Sequence, residues 1–75
     1  MDKTEALIEA IKKASGAEPR VYQEGYSFVI EPMGFITKAV LRDIAAQYLT
    51  RFIIGTKHSY DAKTDDWDYQ PVIIV

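Results

Sequence analysis

The sequence predicts a single α+β domain, a two-layer sandwich with two helices packed on one face of a small, mainly antiparallel sheet. Two segments repeat their apolar residues with the period of a helix, and the remaining apolar segments alternate or run continuously as strands do. A chain of 75 residues has room for one hydrophobic core, so residues 1–75 are expected to form one domain. Its 48% hydrophobic and 27% charged residues are typical of a folded chain.

The first helix is predicted from Thr4 to Ala14. Asp2 and Glu5 have the spacing of a capping box, and Gly16 is a suitable residue to end the helix. The apolar residues that fall on one helical face are Ala6, Leu7, Ala10, Ile11 and Ala14.

Residues 20–31 are predicted to be extended, because Tyr26, Phe28 and Ile30 alternate with Ser27, Val29 and Glu31. Gly25 interrupts the segment, which is therefore either one bulged strand or a tight hairpin, and the hairpin is favoured. The element order is accordingly α-β-β-α-β-β, or α-β-α-β-β if the strand is continuous.

A second helix is predicted to begin after Thr37 as N-cap and to end near Thr50. Ile36 and Leu41 have the spacing of a hydrophobic staple across its first turn. Its apolar face consists of Val40, Leu41, Ile44, Ala45, Tyr48 and Leu49.

The last third of the chain is predicted to be an antiparallel hairpin. Its strands contain the apolar runs 52–54 and 72–75, and the polar residues 61–66 form a long tip. Alternation predicts that Phe52, Ile54, Val72 and Ile74 share one face of the sheet, with Ile53, Ile73 and Val75 on the other. Both faces are then apolar while two helices cover only one, so a homodimer that covers the second face or pairs a sheet edge is one expectation.

Composition excludes several classes of site. The chain has no cysteine, which removes disulfides, zinc-thiolate sites and thiol nucleophiles, and no cofactor or metal is expected. A net charge of −2 argues against direct nucleic-acid binding. The absence of cysteine, of a signal-peptide pattern and of any apolar run near 18 residues predicts a cytoplasmic protein without a membrane segment.

The last hairpin holds the densest group of residues typical of interfaces. It contains the only Trp and the only His, and residues 61–75 hold Lys63 against four aspartates. Tyr and Trp combine apolar area with a polar group, and acidic side chains complement a basic surface. The predicted partner-binding residues are Tyr60, Asp61, Asp65, Asp66, Trp67, Asp68 and Tyr69.

Three other interpretations of this hairpin are weaker or structural. The aromatic residues could serve only to fasten the two strands by cross-strand pairing. A calcium loop would place Asp61 and Asp65 at its positions 1 and 5, but Lys63 and Asp66 occupy positions that require an oxygen ligand and a glycine. A catalytic triad fails because His58 and Ser59 are neighbours on a strand and point to opposite faces.

The leading functional prediction is a non-enzymatic protein-binding module that docks this hairpin on a larger partner with a basic surface. Small acidic domains of this kind include inhibitors from phages and mobile elements, anti-CRISPR proteins among them, which is an analogy of class only. The alternative is a dimeric small-molecule-binding or regulatory module with Tyr22, Tyr26 and Tyr48 lining its pocket. An enzyme is the least supported class, since no catalytic group can be placed in space.

Overall fold

The computed structural model describes residues 3–75, and its six elements follow the predicted order α-β-β-α-β-β. The capping box predicted at Asp2 lies outside the described residues. In chain order, the elements are α1 (Lys3–Ser15), β1 (Arg20–Glu24), β2 (Ser27–Glu31), α2 (Lys38–Tyr48), β3 (Ile53–Asp61) and β4 (Asp66–Ile74).

The four strands form one antiparallel sheet in the order β1-β2-β4-β3. The chain crosses from β2 through α2 to the far edge of the sheet, where it forms β3, and β4 then returns between β2 and β3. The strands β1 and β3 are therefore the two edges. With both helices packed by a shared core, the molecule is the predicted two-layer α+β sandwich.

Residues 20–31 form a hairpin, which confirms the favoured interpretation of this segment. Glu24 pairs with Ser27, so Gly25 and Tyr26 make a two-residue turn, and Gly25 has a φ of 62°. A positive φ costs glycine little because it lacks a Cβ. Tyr26 lies in this turn, fully exposed, and not inside the strand as the alternation predicted.

The helix ends follow local chemistry. The hydroxyl of Thr37 accepts a hydrogen bond of 3.3 Å from the amide of Val40, which confirms Thr37 as the N-cap of α2. Gly16 follows α1 with a φ of 82°, and its amide donates to the carbonyl of Lys12 at 2.8 Å.

The core lies between the helices and one face of the sheet. The packed side chains are Leu7, Ile11, Ile30, Ile36, Leu41, Ala45 and Ile73, with Ile44, Tyr48, Leu49, Phe52 and Ile54 partly buried against them. Ile36 and Leu41 both belong to this core, as the staple predicted. Val40 was predicted on the apolar face of α2 but is 44% exposed.

The two faces of the sheet are composed differently from the prediction. Alternation within each strand holds, but Ile53 pairs with Ile74 and Ile54 pairs with Ile73. Paired residues point to the same face. Ile54 and Ile73 therefore lie on the helix-covered face, whereas Ile53, Val72 and Ile74 lie on the open face. The prediction that Ile54 shares a face with Val72 is wrong, because apolar runs of this kind do not specify the cross-strand register.

Candidate functional site

The outer halves of β3 and β4 form a two-stranded extension of the sheet, residues 56–71, called the arm below. β4 pairs with β2 only near its end, at Ile73 and Ile74, so throughout the arm the two strands pair with each other alone. The tip is a turn over residues 62–65, in which the Asp61 carboxylate accepts the Lys63 amide at 2.9 Å. Asp65 closes the turn with a φ of 53°, a conformation that Asp tolerates better than most residues.

One face of the arm carries four rings in two opposed pairs. His58 lies opposite Tyr69 with ring centroids 4.9 Å apart, in an edge-to-face arrangement, and Tyr60 lies opposite Trp67 at 5.2 Å. The four rings have the same alternation as Ile54 and therefore lie on the helix side of the sheet. Their exposure remains high, at 50% for Tyr60, 53% for Trp67 and 64% for Tyr69. This set of four rings is the aromatic face.

The opposite face of the arm is acidic. Asp61 lies directly opposite Asp66, and Asp68 lies opposite Ser59. Like charges that face each other across a strand pair destabilise the pair. The ion pair found within residues 3–75 joins Lys57 to Glu31. None of these three carboxylates therefore has a cationic partner in that part of the chain.

The sequence predicted one acidic-aromatic cluster, and the structure divides its seven residues. Tyr60, Trp67 and Tyr69 are brought together on the aromatic face, whereas Asp61, Asp66 and Asp68 point to the other side. The physical reason is that both strands continue unbroken to Asp61 and from Asp66, so the period of two separates neighbours along the chain.

Asp65 is the acidic residue that reaches the aromatic face. Its carboxylate accepts a hydrogen bond from the Tyr60 hydroxyl at the tip. This bond holds the pKa of Tyr60 above its ordinary value of 10.0, with a smaller contribution from desolvation, because it favours the protonated phenol. The tip and the outer ring pair are thus tied together.

The arm has no arrangement suited to metal binding or to a triad. In the described part of the chain no group of three His, Asp or Glu side chains lies close enough to hold a metal ion. Ser59 lies opposite Asp68 while His58 lies opposite Tyr69, so the two side chains point to opposite faces. His58 instead serves as one half of a ring pair.

The open face of the sheet contains a polar group that the sequence did not predict. The Lys57 ammonium donates to the Glu31 carboxylate at 2.8 Å and lies 5.4 Å from the centre of the Tyr22 ring. The bond to Glu31 raises the pKa of Lys57 above 10.5. These residues are 26 positions apart on strands that are not adjacent, so only the sheet order could have brought them together.

The three tyrosines proposed to line one pocket are not brought together. Tyr22 lies on the open face, Tyr26 is in the β1–β2 turn, and Tyr48 packs in the helix layer. A different, mainly apolar cleft of about 320 Å³ lies between α1 and the sheet. Its lining includes Leu7, Val21, Phe28, Leu49 and Val75.

Comparisons with known proteins found no matching family model, curated protein or solved structure. Neither described helix is both long and apolar enough to cross a membrane.

Proposed function

We propose that this chain is a non-enzymatic protein-binding module that docks the aromatic face of the arm on a larger partner. The observation that carries the proposal is that Tyr60, Trp67 and Tyr69 lie side by side on one face and each remains at least half exposed. Fastening two strands requires the ring pairs but does not require this exposed apolar area. Aromatic side chains with a polar group are the commonest anchors of protein interfaces.

The acidic face supports a partner with a basic surface near its apolar site. Asp61, Asp66 and Asp68 add negative charge on the opposite face of the same arm, without a cation to neutralise it among residues 3–75. Such charge increases association rate and selects complementary partners. A small module that binds in this way acts by occupying its partner's surface, which is the mode of an inhibitor.

The test is affinity capture with matched variants, followed by binding measurements on the recovered partner. Trp67→Ala is expected to reduce affinity by at least about thirtyfold, the size of an interface hot spot. Tyr26→Ala is the control, because it removes an exposed aromatic residue from the other hairpin. Equal affinity of Trp67→Ala and wild type for the recovered partner would exclude the aromatic face.

The acidic face has its own experiment. Asp66→Asn with Asp68→Asn is expected to slow association and to weaken its dependence on salt, while dissociation changes little. Trp67 is the only tryptophan, so its fluorescence reports directly whether the arm becomes buried on binding. An unchanged Trp67 emission spectrum in the saturated complex would contradict docking through the arm.

The apolar cleft beside α1 supports a second candidate, a small-molecule-binding module. Its volume of about 320 Å³ and its apolar lining suit a small hydrophobic ligand. A ligand that binds only the folded state raises the melting temperature with concentration. The expected result is a thermal shift with apolar ligands that Leu49→Trp, which fills the cleft, abolishes.

A further inference from the structure

The outer edge of β3 is free over its whole length. β3 is the last strand in the sheet order, and its outer side pairs with no strand among residues 3–75. It is nine residues long and contains no proline, whereas β4 contains Pro71. A long edge of this kind readily accepts another strand.

The sequence of this edge is complementary to itself when reversed. Residues 57–61 are Lys-His-Ser-Tyr-Asp, so an antiparallel copy centred on Ser59 sets Lys57 against Asp61 and His58 against Tyr60. We propose that two copies of this chain associate through β3 in this register, about a two-fold axis at Ser59.

The register agrees with the faces of the sheet. Lys57 and Asp61 lie four residues apart on β3, on the open and acidic side of the sheet, so each would face its opposite charge in the second copy. The Lys57 ammonium, which donates to Glu31 within one chain, would turn from Glu31 to Asp61 of the second copy. His58 and Tyr60 lie on the aromatic face and would add a ring pair between the copies. A two-fold axis makes both contacts twice, as an isologous interface requires.

Neighbouring registers lose these contacts. Centring on Lys57 opposes two lysines, and centring on His58 or Tyr60 sets a charged residue against Ser59. Charge therefore selects the Ser59 centre. The contact is limited to one strand from each copy, which is smaller than a standard interface, so the dimer is expected to be weak and sensitive to salt.

The first test uses the absence of cysteine from the chain. Directly opposed residues of antiparallel strands have Cα atoms about 4.5–5.5 Å apart, which suits a disulfide. Ser59→Cys is therefore expected to form a disulfide-linked dimer under mild oxidation. The control is Asp68→Cys, which lies opposite Ser59 on the same face. In the dimer the two cysteines of this variant would be three strand spacings apart, about 14 Å. They should therefore form the disulfide at least about tenfold more slowly than those of Ser59→Cys.

The second test reverses charges. Asp61→Lys places a lysine opposite Lys57 at both ends of the interface. It is expected to raise the dissociation constant of the dimer about tenfold, as measured by sedimentation equilibrium. Lys57→Asp places an aspartate opposite Asp61 at both ends of the interface and should weaken the dimer by a similar factor. It is combined with Glu31→Lys, which restores the ion pair within each chain with its charges exchanged. An equimolar mixture of the two variants restores both opposite-charge pairs and should dimerise as wild type does.

The outcomes are decisive for this register. Crosslinking of Ser59→Cys no faster than Asp68→Cys, with both variants folded by circular dichroism, would overturn the proposal. The proposal would also be overturned if the wild type dimerises but the mixture of the two charge-reversed variants does not. Another surface would then hold the copies together. Partner binding through the aromatic face is measured separately and does not depend on this result.

Discussion

Tyr60 and Trp67 lie directly opposite each other on β3 and β4 with ring centroids 5.2 Å apart, yet each ring is about half exposed. A pair that served mainly to stabilise the fold would be expected to bury more of its area. The pair instead holds two large side chains against each other in solvent. Rings fixed in advance lose little conformational freedom when a partner covers them, which favours binding.

Tyr60→Ala is therefore expected to cost little stability. Losing an exposed ring pair should lower the free energy of unfolding by about 1 kcal/mol. Leu41→Ala, which empties a fully buried position, should lower it by about 2–5 kcal/mol. Urea unfolding of both variants checks the comparison. Similar losses would show that the arm is part of the stabilising structure and would weaken the case for a binding role.

Asp66→Asn is expected to stabilise the protein. It removes the like-charge pair with Asp61 and keeps an oxygen that can accept the Trp67 amide, a bond of 2.8 Å in the structure. The gain should be about 0.2–1 kcal/mol at low salt and should shrink as salt screens the repulsion. Asp43→Asn on α2 changes the net charge equally and serves as the control. A loss of stability in Asp66→Asn would mean that the repulsion is negligible.

The elements of the fold could be predicted from the sequence because their signals are local. The Thr37 cap, the Gly16 stop and the turn at Gly25 each depend on a few neighbouring residues. The pairing of Ile53 with Ile74 could not be predicted, because runs of β-branched residues fit either register equally well.

The candidate site shows the same division. The sequence predicted the final hairpin but treated its rings and carboxylates as one cluster, since strand limits inside a polar segment are weakly specified. The ion pair of Lys57 with Glu31 was missed because it joins residues 26 positions apart on strands that are not neighbours in the sheet. Long-range pairing depends on sheet order, which no local pattern encodes.

Gly34→Ala is expected to destabilise the protein strongly. A Cβ at this position would fall directly on the backbone carbonyl of Ser15, at the end of α1. Backbone cannot move aside as a flexible side chain can, so the loss should be about 1–3 kcal/mol, as for overpacking. Ala17→Gly, a change of one methyl group near the same helix end, is the control. Thermal unfolding of both variants tests the close approach of this loop to α1.

The ion pair of Lys57 with Glu31 should stabilise the protein below about pH 10.5 and lose its effect above it. A folded-state pKa raised above 10.5 means that protonated Lys57 is favoured in the folded state. Its contribution is complete below the unfolded pKa and disappears as pH rises through the raised folded pKa. The stability difference between wild type and Glu31→Gln should therefore be constant near neutral pH and shrink in alkali. A difference that grows with pH would contradict this assignment.

Tyr60 should ionise at higher pH than it would without Asp65. The phenol donates its proton to the Asp65 carboxylate, and ionisation would break that bond and set two negative charges together. Ring-labelled NMR titration of the tyrosines resolves Tyr60 individually, and Asp65→Asn should move its pKa back toward 10.0. Because the folded-state pKa of Tyr60 is raised above 10.0, the bond contributes its full stability below about pH 10 and loses it as the pH rises through the raised pKa, so the tip should loosen in alkali. A Tyr60 pKa unchanged by Asp65→Asn would show that the Asp65 charge does not raise it.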